Sequence, residues 1–404
     1  AELSGIDLSV AEVMEGAVVV RDGAFDGCAA PTSHQATLAV KALEKSATWE
    51  TKPHPSSTTL YDHLRQNARQ RDEATPAPDP GLKTVRAEYN IAYMQHVPME
   101  RRAAVAEWTD GKLTVWTGSQ APTRVHGELT DAFGLPNDRV RVIIPDTGGG
   151  FGGKHSGECA VEAARLARAA GRPVCLRWTR QEEFTWAYFR PAGAYDIEAG
   201  LDANGRLAFF HYTSINPGSS GAACPYRSPV SRVRSVETDA PLKQGSYRAL
   251  GSTANNFARE SFIDEVALAA GTDPLVFRRE HLEEPRLRDV LEAAALRFGW
   301  EERKRSKPAG TGIGLACGTE KGSFVAACVE VQVDQAQGTY RIVRICETFE
   351  CGAIQNPANL RRQAEGCIIM GLGGALTEEI RFENGKILNA TFREYQVPRF
   401  KTVP

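Results

Sequence analysis

The sequence predicts an α+β fold, with mixed sheets and helices packed on them, and three observations carry that expectation. Strand patterns come in hairpin-like pairs: YDIEAGLDANGRLAFFHY folds about DANG, and SFVAACVEVQVD meets TYRIVRICETFE across QAQG. Residues 255 to 300 are mostly helical in pattern and close with RDVLEAAALRFGW. Nowhere do strand and helix alternate with the regularity of βαβ units, which argues against a doubly wound parallel sheet.

Taken in order, VMEGAVVVRDG reads as a strand and HQATLAVKALEKSATW as a short amphipathic helix, inside a first unit at 1–56. From residue 51 the chain turns rich in Pro, Ser, Thr and charge. It includes ATPAPDPG at 74–81, so 57–84 reads as a surface linker. A unit at 85–301 follows, opening with alternation in VRAEYNIAYM and around Trp116. The charged segment ERKRSKPAG at 302–310 marks a boundary before a last unit at 302–404, where NPANLRRQAEGCIIMGLGGALTEE predicts a helix.

The densest signal is RVIIPDTGGGFGGKHSGECAVEAARLARAAG at 141–171. A strand runs into Gly148, Gly149, Gly150, Phe151, Gly152 and Gly153, and then into a helix with Cys159, Ala163, Leu166 and Ala170 on one face. Five glycines free the backbone to take positive φ and to bring N–H groups close to a ligand, and the helix start favours negative charge. One reading is a phosphate loop, since Gly148 to His155 spells G-x-x-x-x-G-K-H. His155 stands where that motif needs a magnesium-binding hydroxyl, and imidazole suits softer metals.

Composition narrows the classes. With 48 basic and 50 acidic residues in 404, the net charge of −2 gives no case for nucleic acid or an anionic membrane surface. No apolar run approaches membrane-spanning length, and AELSGIDLSV lacks signal-peptide architecture. Nine cysteines without a CxxC pair argue against a zinc ribbon, and an odd count sits badly with a disulfide framework. Cys346 and Cys351 have the first interval of an iron–sulfur motif, but the next cysteine is Cys367 and the pattern fails. The cysteines read as small buried hydrophobes in a reducing compartment, which makes the expected location cytoplasmic.

Four ordered blocks then point one way. GGGFGGK resembles the first molybdenum-cofactor-binding domain of the large subunit of molybdenum hydroxylases, the xanthine dehydrogenase and aldehyde oxidase family. HVPMERRAAVAEW at 96–108 with LTVWTGSQAPTRV at 113–125, SYRALGSTANNFARESFIDEVALAAGTDPLVFRREHL at 246–282, and CGAIQNPANLRRQAEGCIIMGLGGALTEEI at 351–380 resemble the family's other segments. The tone is that of the isoquinoline and nicotinate branch. The resemblance makes 1–56 the tail of a hammerhead-like domain, 85–301 the first cofactor domain and 302–404 the start of the second.

The resemblance implies a molybdenum cofactor, a molybdopterin in its cytosine dinucleotide form, with hydroxylation of a carbon beside nitrogen in a heteroaromatic ring and water as the oxygen source. Aldehyde oxidation is the nearest alternative, and a nucleotide-binding protein the alternative from another class. It implies that Phe151 and the glycines Gly149, Gly150, Gly152 and Gly153 bind the cofactor. Gln120 would donate a hydrogen bond to it, Gln363 would lie near the pterin, and Arg248 would face substrate. GTEKGSFVA at 318–326 looks like a second backbone cradle.

Two departures bear on subclass. Ala249 replaces the cysteine of the carbon monoxide dehydrogenases, and His155 replaces a substrate-contacting glutamate of the purine oxidisers, so its imidazole either touches substrate or caps the helix. The implied partners are an iron–sulfur subunit that carries the electrons away and, in the assembled enzyme, a second copy. The family's glutamate base belongs to a later Gly-Glu motif, so the 404 residues are expected not to turn over substrate unaided.

Overall fold

The computed structural model describes residues 2–69, 81–306 and 308–404. Most of ATPAPDPG lies outside them. Among the described residues, three sheets of three or four strands and three two-stranded ones organise the fold, and the strand pairs predicted from alternation are present.

The first sheet orders Val140–Ile143, Lys112–Thr117, Ala103–Thr109 and Val174–Arg177, with its central hairpin in register at Val105 and Trp116. Alternation turns Ala104, Ala106, Leu113 and Val115 inward against Val125 and Leu129 of the helix Pro122–Phe133 and against the helix Glu158–Ala170. That second helix buries Cys159, Ala160, Ala163, Ala164, Leu166 and Ala167; of the face its sequence period assigns, Cys159, Ala163 and Leu166 are buried and Ala170, in the last turn, is only half-buried, and Gly171 ends the helix at φ 60°.

In the second sheet, Lys83–Ile91, Gly193–Leu201 and Leu207–Ile215 pair antiparallel, and Val230–Val236 joins parallel. The central helix Ser252–Ala269 lies between it and the third sheet, Thr311–Glu320, Ser323–Asp334 and Thr339–Glu350. One core therefore spans the two cofactor-domain units of the sequence reading. At its centre Glu260 takes Arg259 at 3.0 Å, Arg278 at 3.1 Å and the Tyr226 hydroxyl at 2.7 Å, so the buried charges are matched.

Three expectations change. Residues 57–66, read as linker, form a 3-10 turn and the helix Leu60–Gln66, which buries Leu60 and Leu64 beside Tyr93, Phe184, Phe382 and Tyr395. A seven-residue helix with two apolar positions leaves little period to read. The boundary at 302–310 begins inside the helix Trp300–Arg305, where Arg303 pairs with Glu330 at 2.5 Å and Lys304 with Asp273 at 2.8 Å. Among the cysteines, Cys175 and Cys367 are exposed, while Cys28, Cys159, Cys317, Cys328 and Cys346 are buried as expected. No described helix is long and apolar enough to cross a membrane.

Candidate functional site

The glycine loop is a strained backbone held by its surroundings. Gly149, Phe151 and Gly152 have φ of 87°, 53° and 96°. A Cβ on Gly152 would stand 2.9 Å from the Ser246 carbonyl oxygen and the Tyr247 Cα, and one on Gly153 would stand 2.7 Å from the His96 ring. A Cβ on Gly150 would collide with the side-chain oxygen of Gln120. These three glycines are needed because other groups already occupy the space.

Gln120 is clamped to the loop. Its backbone N–H donates to the Lys154 carbonyl at 2.8 Å, and its side-chain oxygen accepts from the N–H of Gly152 at 2.9 Å and of Lys154 at 3.3 Å. Two donors on that oxygen turn the amide nitrogen outward, where it makes no hydrogen bond with the described residues. Nor do the N–H groups of Gly149, Gly150 and Phe151, although Gly150 is buried. One corner of the protein thus offers an amide and three successive backbone donors to an acceptor from outside the chain. Phe151 stands beside them, more than a third exposed.

Residues that the sequence reading did not single out hold this corner in shape. Glu100 accepts from the Gly148 N–H at 2.8 Å and from Lys154 Nζ at 2.5 Å, joining both ends of the loop. Burial works to raise its carboxyl, but those hydrogen bonds outweigh it and hold the group below its ordinary value. Arg102, paired with Glu183 at 2.6 Å, donates to the Gly153 carbonyl, and the Tyr188 hydroxyl donates to that of Gly152 at 2.5 Å. Burial pushes His96 down to about 4, with the Ser246 carbonyl 2.6 Å from Nε2 working against it. MERR and an isolated His carry no spacing that announces such roles; only the fold sets them around the loop.

Arg248 approaches from the other side. Its N–H donates to the Phe151 carbonyl at 2.8 Å and its Nη2 to the Gln363 side-chain oxygen at 2.7 Å. Ala249 and Leu250, the next residues, both take positive φ, 69° and 53°, a strained pair of the kind found where a site over-determines its backbone. Arg248 also lines a cavity of about 650 Å³ between the central helix, the third sheet and the helix Pro357–Leu376. Gln120 and Phe151 do not line that cavity; they meet Arg248 through the loop.

Lys154 is 2 % exposed and committed to Glu100, so it is not a phosphate-loop lysine. His155 caps nothing, because the helix starts at Glu158 behind Gly157, whose N–H is taken by Glu128 at 2.5 Å. GTEKGSFVA is a two-strand hairpin turning at Lys321 and Gly322, φ 50° and 79°, rather than a second cradle. Among the described residues no group of three or more His, Cys, Asp or Glu side chains could hold a metal ion by itself.

A family model described as a molybdopterin cofactor-binding domain matches residues 66–282, and a second of the same description matches 319–404. The chain is 26 % identical to a subunit of nicotinate dehydrogenase from Pseudomonas putida, over 96 % of this chain and 36 % of that one. It is 28 % identical to the beta subunit of isoquinoline 1-oxidoreductase from Brevundimonas diminuta, over 82 % and 45 %. It therefore spans between a third and a half of the length of these curated relatives. Among solved structures, quinoline 2-oxidoreductase from Pseudomonas putida 86 superposes with a TM-score of 0.84 at 17 % identity, covering all of this chain and 85 % of that one, a likeness of fold. With its first model matching more than half of the sequence, the chain belongs to the molybdopterin cofactor-binding domain family.

Proposed function

We propose that this chain is the molybdopterin-binding part of a molybdenum hydroxylase that acts on an electron-poor carbon of an N-heteroaromatic compound. The observation that carries the reading is the unpaired donor set at the glycine loop: the outward amide of Gln120 beside the open N–H groups of Gly149, Gly150 and Phe151. Fixed neutral donors suit an oxygen-rich anionic group, since they stabilise charge without adding a competing ligand. The two curated relatives described above carry an N-heteroaromatic compound in their names, which supports that substrate class.

When bound, the molybdenum group would supply the two-electron redox chemistry and the water-derived oxygen. The protein's own part is positional. Gln120 and the loop N–H groups would hold the group, with Phe151 beside it, and Arg248 would present a positive charge that Gln363 keeps in place. The cytosine dinucleotide form of the cofactor and an iron–sulfur partner that receives the electrons belong to this proposal. So does the assembly of two copies.

The test is molybdenum and pterin analysis of the protein purified from a host that makes the cofactor. Near-stoichiometric molybdenum in the wild type, reduced several-fold in Gln120→Ala, supports the reading. A wild type that carries none, or a variant that keeps it all, overturns it.

A further inference from the structure

Tyr395, fully buried near the C-terminus, reaches back 300 residues to Gln95. Its hydroxyl accepts from the Gln95 N–H at 3.0 Å, and its one proton lies between the Gln95 carbonyl at 3.2 Å and the Glu378 carboxyl at 2.9 Å. The ring packs on Phe184, centroids 5.2 Å apart, and Phe392 packs on that same Phe184 at 5.7 Å. Those ring contacts are ordinary core. The hydroxyl is not explained by them, because a phenylalanine would fill the same volume without burying a polar group.

What the hydroxyl holds leads to the glycine loop. The Gln95 side-chain oxygen accepts from the His96 N–H at 2.7 Å, and its amide nitrogen donates to the Glu183 carbonyl at 2.6 Å. His96 sets its ring where a Cβ on Gly153 would have to stand, while the Glu183 carboxylate holds Arg102 at 2.6 Å and Arg102 donates to the Gly153 carbonyl. Two branches leave Gln95 and both end on Gly153. Gln95, His96, Arg102 and Glu183 are all buried, so a bond lost anywhere along the branches leaves a polar group without water to replace its partner.

We propose that Tyr395 is a positioning residue for the glycine loop: its hydroxyl fixes Gln95, and Gln95 fixes the two branches that hold Gly153. The C-terminal segment thereby sets the backbone from which Gln120 and the loop N–H groups are offered. As a statement about the cofactor, this rests on the preceding reading of the site; as a statement about the loop, it needs only this chain.

The far end of the network is titratable. Glu378 faces Tyr395, Arg190 and Tyr247, and burial raises its carboxyl to about 7. Ionised, it accepts from the Tyr395 hydroxyl; protonated, it donates to that hydroxyl, whose own proton then turns to the Gln95 carbonyl. The Gln95 amide therefore senses Glu378 through Tyr395.

The experiment uses the cofactor-free 404-residue chain and follows hydrogen–deuterium exchange at Gly152, Gly153 and Lys154, whose N–H groups are bonded within the corner. Tyr395→Phe keeps the ring and should raise exchange there about tenfold, while the central helix Ser252–Ala269 keeps its wild-type rate. Gln95→Met should do the same. Phe392→Leu, which loosens the packing on Phe184 without touching the network, should not single out the loop. A measurement on the wild type needs no variant to fold: in amide NMR spectra the Gln95 signal should titrate with a midpoint near 7, and in Tyr395→Phe that titration should be lost.

Loop exchange unchanged in Tyr395→Phe and Gln95→Met, a loop-selective rise of the same size in Phe392→Leu, or a Gln95 signal that is flat in the wild type overturns the proposal. Molybdenum takes no part in these measurements. A negative result therefore leaves the molybdopterin reading standing, and a wild type without molybdenum would fail that reading without touching this one.

Discussion

Arg248 reaches across 115 residues to Gln363, its Nη2 donating to the side-chain oxygen at 2.7 Å while its backbone N–H holds the Phe151 carbonyl at 2.8 Å. One residue thereby joins the glycine loop to the C-terminal helix. Gln363→Leu should lower stability by only about 1 kcal/mol, because the bond is solvent-exposed. It should also raise amide exchange in Pro357–Leu376 selectively, measured by hydrogen–deuterium exchange. Uniform exchange across that helix and the rest of the chain would contradict the link.

The glycines of the loop are not equivalent. Gly152→Ala places a Cβ 2.9 Å from backbone atoms of Ser246 and Tyr247 at φ 96°, and backbone cannot step aside as a side chain can. Gly149→Ala meets only the Phe151 ring, at 3.5 Å, with φ 87°. Urea unfolding should give a loss of about 2–4 kcal/mol for the first and about 1 kcal/mol for the second.

Glu100→Gln should destabilise the chain by about 1–3 kcal/mol at neutral pH, since it leaves Lys154 buried without its anion, while the partly exposed carboxylate limits the effect. The pH dependence has a fixed sign. A carboxyl held below its ordinary 4.5 contributes stability above that pH and loses it as pH falls through the folded value. The wild type should therefore lose more stability than the variant on acidification below about pH 4.5, read from urea midpoints across that range.

Glu378 behaves in the opposite sense. Burial raises its carboxyl to about 7 against hydrogen bonding from Tyr395 and attraction from Arg190. The folded state holds the proton more tightly than the unfolded, so this contribution is complete below about pH 4.5 and is lost as pH rises through about 7. Glu378→Gln should flatten that part of the profile, and an infrared or NMR titration should find a carboxyl near 7 in the wild type that the variant lacks.

The α+β class, the hairpins at DANG and QAQG, the helix after the glycine loop and the family were all legible in the residues alone, because period, turn chemistry and a five-glycine loop are local properties. The fold brings Gln120, Phe151, Arg248 and Gln363, which the sequence singled out, into a connected set through the loop. The groups that hold this set became visible through packing. Glu100, His96, Arg102 and Tyr188 lie tens of residues from the atoms they hold, and nothing in their neighbourhood marks them. The helix at 60–66 was hidden for the same reason: its few apolar positions acquire meaning against Tyr93, Phe382 and Tyr395. Arg190 marks the division most plainly, since an arginine in a sequence is a surface charge by default, and its burial, with a backbone carbonyl as its hydrogen-bond acceptor, is a property of the packed chain alone.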